Sequence, residues 1–515
     1  MKPKRMISYR HTLINSIGTF LSRITGIVKW TVINPLFGKG LDPFHASFRV
    51  INNLRKIVGE GVIANAFIPV FQGRNTEDKE KANLFASNVI NIFLIFTVAI
   101  TALGIIFARS YFPIFVPGFA EGSIELEQSI VLTMIMMPFV IFIFLFAVSM
   151  GILNSHRRFT TPAFAPIVFN VVCVGFALVF HGRFGVYSVG IGVAVGSALM
   201  FLIELIELFG VGFRYRLYIN FRDPALREFF KLFFPTALNM VVLMILSLVF
   251  TLFVSFLPSG SFTVIQNSQV LNQAPIGIVG VAIATVMLPL LSKPEVQSSK
   301  TDFEKTISEG FFMFFYLIIP FTMFFAVFPD IIVNIAYRDI LVWIIGDTGK
   351  YTTDLLELNY TITAVYASAL PPMGLNLILA KIFYSRKDAK TPLVANIVLL
   401  AASTGLYFIS RIDSIGATGI GVADSIAAWL TSGYFLIRLR KYVKLRELEK
   451  GLFVKVAAIT IISGLTALVV YPVYKYLYIP QSNALLLLLY GGLVFLIFAG
   501  LYYGVCKIFK MELKR

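Results

Sequence analysis

The stretch from Ser22 to Phe71 reads SRITGIVKWTVINPLFGKGLDPFHASFRVINNLRKIVGEGVIANAFIPVF. Its apolar runs are long enough for two bilayer-crossing helices, each of which needs about 20 residues. Yet it carries Arg23, Lys29, Asp42, Arg49, Arg55, Lys56 and Glu60. Ionisable groups are expensive in hydrocarbon, so at such depth they face a wet cavity or a bundle interior and mark a substrate path. The stretch therefore predicts a polar path, and the rest of the chain reads as the wall around it.

Of 515 residues, 57% are apolar and 14% charged, with a mean hydropathy of +0.83. That composition is far from a soluble domain and predicts an all-α polytopic membrane protein. Cys173 and Cys506 both sit in apolar runs, which excludes a disulfide framework, and His11, His45, His156 and His181 lack ligand spacing, so no metal or cofactor is expected. The net charge of +17 falls largely in short loops, where the positive-inside rule accounts for it without nucleic acid. The opening MKPKRMISYRH resembles a signal-peptide start. Arg23 and Lys29 interrupt the apolar segment after it and no small-residue cleavage pattern appears, so the first span is expected to be retained.

About fourteen spans are expected, at 11–36, 44–71, 83–108, 127–153, 160–181, 185–211, 229–257, 262–291, 306–329, 356–384, 391–410, 415–437, 451–474 and 482–509. Alternate connections collect the basic residues, among them Arg157 and Arg158, Arg214 to Lys231, and Arg438 to Lys450. The opposite ones hold only Lys39, Arg109, Arg183, Arg338, Lys350, Arg411 and Lys475. This asymmetry predicts both chain ends in the cytoplasm.

An internal repeat divides the chain. LNSHRRFTTPAFAPIVFN from Leu153 matches FYSRKDAKTPLVANIVLL from Phe383, and GIGVA from Gly190 recurs at Gly419. Each copy covers six spans, which makes the halves parallel repeats of the kind found in alternating-access transporters, with substrate near the midplane. The expected plan is an N-lobe at 1–211, a cytoplasmic linker at 212–228, a C-lobe at 229–437, two further spans within 451–509 and a tail at 510–515.

On the second span Arg49, Asn53, Lys56 and Glu60 follow at helical spacing, with Asn52 and Arg55 beside them. The excess of cations over Asp42 and Glu60 invites an anionic substrate, and guanidinium forks suit phosphate oxygens. The same charges could instead pair with Asp42 and Glu60 and only hold the bundle together. The counterpart helix in the C-lobe offers amides without charge, including Gln269 and Gln273, which suit sugar hydroxyls or peptide groups.

SRITGIVKW, LFGKGLDPF, INNLRKIVGEGVIANAFIPVF, GILNSHRRFTTPAFAPIVFN, GIVGVAIATVMLPLLSK and FYSRKDAKTP together resemble the MurJ (MviN) family of lipid II flippases, in the multidrug/oligosaccharidyl-lipid/polysaccharide exporter superfamily. The resemblance spans nearly the whole chain. It implies transport of lipid II, undecaprenyl-diphosphate disaccharide pentapeptide, from the inner to the outer leaflet of the bacterial inner membrane for peptidoglycan synthesis. It also implies cavity roles for Arg23, Lys29, Asp42, Arg55 and Glu60. Two positions depart from the family pattern: Trp30 stands where an aspartate is usual, and Val270 where the eighth span usually has arginine. Diphosphate binding is then expected to rest on the first lobe, with the polyprenyl tail left in lipid.

No catalytic residues are expected, and the absence of a Walker A sequence speaks against direct use of ATP. Asp424, after the second GIGVA, is the C-lobe carboxylate best placed for a coupling cation, although a packing role accounts for it equally well. Cell-wall synthesis proteins are candidate partners. The rival readings are an exporter of another polyprenyl-diphosphate-linked glycan, a cation-coupled drug exporter, a membrane enzyme acting on polyprenyl phosphates and a non-transporting scaffold. Drug export would favour carboxylates and aromatics over the basic excess, and an enzyme would need clustered carboxylates or a metal.

Overall fold

The computed structural model describes residues 9–58, 62–339, 350–443, 445–477 and 484–509, and every regular element among them is helical. Glu60 lies outside the described residues. Eleven described helices are long and apolar enough to cross a bilayer. The pair Thr353–Ala367 and Leu370–Ser385, bent by 43°, makes a twelfth if it is one span. The chain is a multi-pass membrane protein, and these helices match the expected spans from 83–108 onward. Among the described residues, the helices of the first two expected spans do not pass on length and apolarity, so the full count of fourteen is not reached this way. Residues 11–36 fall in α1 (Tyr9–Phe37), and the described residues of 44–71 lie in α2 (Asp42–Val58) and α3 (Val62–Glu77).

Two compact units emerge: residues 1–33 with 40–256, and 34–39 with 257–515. The helix expected to open the C-lobe, α10 (Pro224–Ser255), thus groups with the first unit. Aromatic packing is the reason. Phe93 of α4 (Lys79–Ile106) meets Phe229 at 5.8 Å and Phe233 at 5.5 Å between ring centroids, and the Arg49 guanidinium stacks 3.9 Å from the Phe250 ring. The basic linker before α10 lies extended along α4. Asn88 both donates to Asn220 O and accepts from its N–H at 2.8 Å, and Asn91 donates to Arg216 O and Tyr218 O.

The rest of the first unit is α5 (Ala108–Phe115), α6 (Ile124–Met136), α7 (Phe139–Ser155), α8 (Thr160–Phe184) and α9 (Tyr187–Gly210). A Cβ on Gly192, in the first GIGVA, would stand 3.1 Å from Cys173 Cα. The missing side chain lets α8 and α9 pack closely. In the second unit the helix over Ser261–Pro275 continues through a π turn at Ile276–Val281, directly after Pro275, whose missing N–H interrupts regular bonding. Its N-terminal half carries a buried polar network: Asn34 donates to Asn267 Oδ1, while Asn267 and Asn359 both donate to Tyr351 Oη at 2.9 Å.

The repeat read from sequence has a structural counterpart. Arg157 and Lys387, at matching positions, adopt φ of +59° and +58°. Each follows a helix C-terminus closed by a bond back over five residues, Arg158 N to Leu153 O at 2.9 Å and Asp388 N to Phe383 O at 3.0 Å. This is the Schellman closure, built here without glycine.

Candidate functional site: a cationic helix pair in the first unit

Helix α1 runs against α8 because small residues permit it. A Cβ on Gly18 would meet the Ala163 Cβ at 2.5 Å, and Asn170 Nδ2 donates to Ser22 O at 3.3 Å and to Thr25 Oγ1 at 3.1 Å. Four residues after Thr25, this seats Lys29 among aromatics. Its Nζ lies 4.5 Å from the Trp30 ring centroid and 5.0 Å from that of Phe169, and the side chain is 7% exposed. Faces of aromatic rings attract an ammonium while excluding water. Trp30 itself packs on Phe44, His45 and Phe48, filling with rings the place where a carboxylate was expected.

Helix α2 brings the other charges. Asp42 is buried in its first turn, where the helix dipole favours an anion. Arg49 and Lys56 are half-buried, and Arg55 Nε donates to Asn52 Oδ1 at 2.5 Å. Asn53 is 1% exposed, and neither its Oδ1 nor its Nδ2 has a hydrogen-bond partner. Lys29 is within electrostatic reach of Arg55, and buried His45 of both Arg49 and Lys29. The fold therefore gathers Lys29, His45, Arg49 and Arg55. Arg23 is exposed, about two helical turns before Lys29 on α1. Sequence reasoning passed over His45, although it precedes Arg49 by one helical turn on α2.

The amides and the acid expected in the C-lobe lie in the second unit. Gln269 Nε2 donates to Tyr366 Oη at 3.0 Å, Gln273 is exposed, and Asp424 is buried among tyrosines. Val270 is half-buried. Among the described residues no group of three or more His, Cys, Asp or Glu could hold a metal ion.

Such an arrangement concentrates positive charge beside the buried, unpartnered Asn53 amide, which suits an anion with hydrogen-bonding oxygens. The family described as "Lipid II flippase MurJ" matches residues 33–489. A probable lipid II flippase MurJ from Rickettsia prowazekii is 26% identical over 513 residues, 98% of each chain. One from Thermotoga maritima is 28% identical over 502 residues, 96% of this chain and 97% of its own. The solved structure titled "Lipid II flippase MurJ, inward closed conformation" superposes with a TM-score of 0.77 at 25% identity, covering 95% of this chain and 99% of that one. An inward-facing MATE transporter of the MOP superfamily shares the fold, with a TM-score of 0.69 at 14% identity over 84% of this chain and 98% of its own. With the family match covering most of the chain and the relatives aligning nearly end to end, this chain belongs to the MurJ lipid II flippase family.

Proposed function

We propose that this protein flips lipid II from the inner to the outer leaflet of the bacterial cytoplasmic membrane by alternating access, with both chain ends cytoplasmic. The observation that carries the site assignment is the gathering of Lys29, His45, Arg49 and Arg55 beside the unpartnered Asn53 amide. Like charges held together in a low-dielectric bundle repel, and a bound diphosphate relieves that repulsion. In this reading Arg23, Lys29, Arg49 and Arg55 hold the diphosphate, and Asn53 and Lys56 contribute hydrogen bonds beside it. Asp42 and Glu60 balance the charge, and Gln269 and Gln273 meet the sugar and peptide head. The protein breaks no covalent bond. An apolar groove of about 410 Å³ lined by Ile461, Leu465, Val469 and Leu501 offers the prenyl chain a place outside the polar path.

Translocation of lipid II in reconstituted vesicles tests the assignment. Arg23→Ala and Arg55→Ala are expected to slow it at least tenfold, the effect of about 1.4 kcal/mol of lost diphosphate interaction. Wild-type rates in both would sink the cationic mechanism. Complementation of a flippase-depleted bacterium separates lipid II from other polyprenyl-diphosphate glycans and from drugs.

A further inference from the structure

Glu204 sits in α9 on the face opposite the exposed Leu202, Ile206 and Phe209. It is 0% exposed, and neither of its carboxylate oxygens has a hydrogen-bond partner. Glu207, one turn on, adds a second carboxylate whose Oε2 is likewise buried and unpartnered.

Among the described residues, the surrounding helices supply no compensating charge. Helix α9 packs on α6, α7 and α8. Glu204 faces the Met150 backbone of α7, and α7 carries no ionisable side chain. On α8, His181 and Arg183 lie in the last turn, beside the start of α9, and Cys173 packs on Gly192. On α6, Glu125 and Glu127 lie in the first turn, on the far side of Leu132, which touches Gly190 near the start of α9. Of the His156, Arg157 and Arg158 turn that succeeds α7, none pairs with either carboxylate among the described residues.

A bare carboxylate in such surroundings is strongly unfavourable, and a second one a turn away makes it more so. The pair needs a positive occupant that the neighbouring described side chains do not provide. We propose that Glu204 and Glu207 form a binding site in the first unit for a monovalent cation, a proton or a sodium ion. Occupancy stands on these carboxylates alone; its use to drive lipid translocation rests on the flippase reading.

Thermal unfolding of the purified full chain in detergent tests the site without reading translocation, so failure of the flippase reading would leave the result standing. The wild type is compared with Glu204→Gln, whose amide replaces the acid and takes no cation, and with Glu207→Gln. If the occupant is a proton, the folded state binds more protons than the unfolded one. Wild-type stability relative to Glu204→Gln then falls as pH rises, by up to about tenfold in the unfolding constant per pH unit. If it is sodium, replacing choline chloride by sodium chloride at constant ionic strength raises the wild-type midpoint and leaves Glu204→Gln unmoved. Should Glu204→Gln fail to fold, Glu204→Asp, which withdraws the carboxylate by one methylene, must shift the same response. Identical dependence on pH and on sodium in wild type and variant overturns the proposal.

Discussion

The Tyr366 hydroxyl donates a 2.6 Å hydrogen bond to Asp424 Oδ2, and Tyr407 donates one of the same length to Oδ1. Gln269 Nε2 in turn donates to Tyr366 Oη. Each carboxylate oxygen thus receives a phenol, an arrangement suited to holding the acid in place rather than exchanging a cation. Tyr366→Phe and Tyr407→Phe are each expected to cost about 1.5–3 kcal/mol. A double-mutant cycle in thermal unfolding should show strong coupling between them. Independent, negligible losses would mean that the phenols do not restrain Asp424.

Asn53 separates stability from transport. Its two amide atoms are buried without partners, which costs about 1–3 kcal/mol relative to an apolar side chain of similar size. Asn53→Leu should therefore raise the unfolding midpoint while slowing lipid II translocation, because the unspent hydrogen bonds would meet substrate. A variant that is more stable and equally fast would remove Asn53 from the binding site.

Arg157 and Lys387 both hold the left-handed backbone region, which costs a non-glycine residue about 1 kcal/mol. Arg157→Gly and Lys387→Gly should each stabilise the chain by about that amount, and additively, since the two turns share no partner. Chemical unfolding of the single and double variants checks this.

The pH dependence of one helix start has a definite sign. Partial burial works to raise the Asp388 carboxyl. It is outweighed by the Thr391 N–H at 3.0 Å, the Thr391 hydroxyl at 2.7 Å, the Lys390 N–H and the Arg438 charge, so the group is held below the usual aspartate range. The stabilisation of helix Lys390–Leu406 is therefore complete above the ordinary aspartate value and fades as pH falls through the lowered one. Amide exchange in the first turn of that helix should accelerate on acidification in the wild type, and much less so in Asp388→Asn.

Eleven spans, and a twelfth if the bent pair is one, were legible because an apolar run of about 20 residues has few alternatives to crossing a bilayer. Arg23, Lys29 and Arg55 stood out in the sequence because a charge inside such a run has to be explained. The repeat announced itself in GIGVA and in the Ser155 and Ser385 turns. The stacking of Arg49 on Phe250 was hidden, because a contact between helices so distant in sequence leaves no local pattern. Glu204 went unnoticed because an acid near the end of a span reads as a border residue, and only the packing of α7 against α9 shows it sealed.

The grouping of α10 with the first unit, and of Asn34–Lys39 with the second, sets an order of assembly at the ribosome. A nascent chain that has delivered six spans still lacks Phe229, Phe233 and Phe250, so Phe93 has only Phe144 to stack on and Arg49 waits in the membrane without its Phe250 ring. Asn34 waits longer, since Asn267, Tyr351 and Asn359 emerge far later in synthesis. Helix α1 is therefore among the last to be fully secured, and a nascent chain released before residue 359 would leave its C-terminal end undocked.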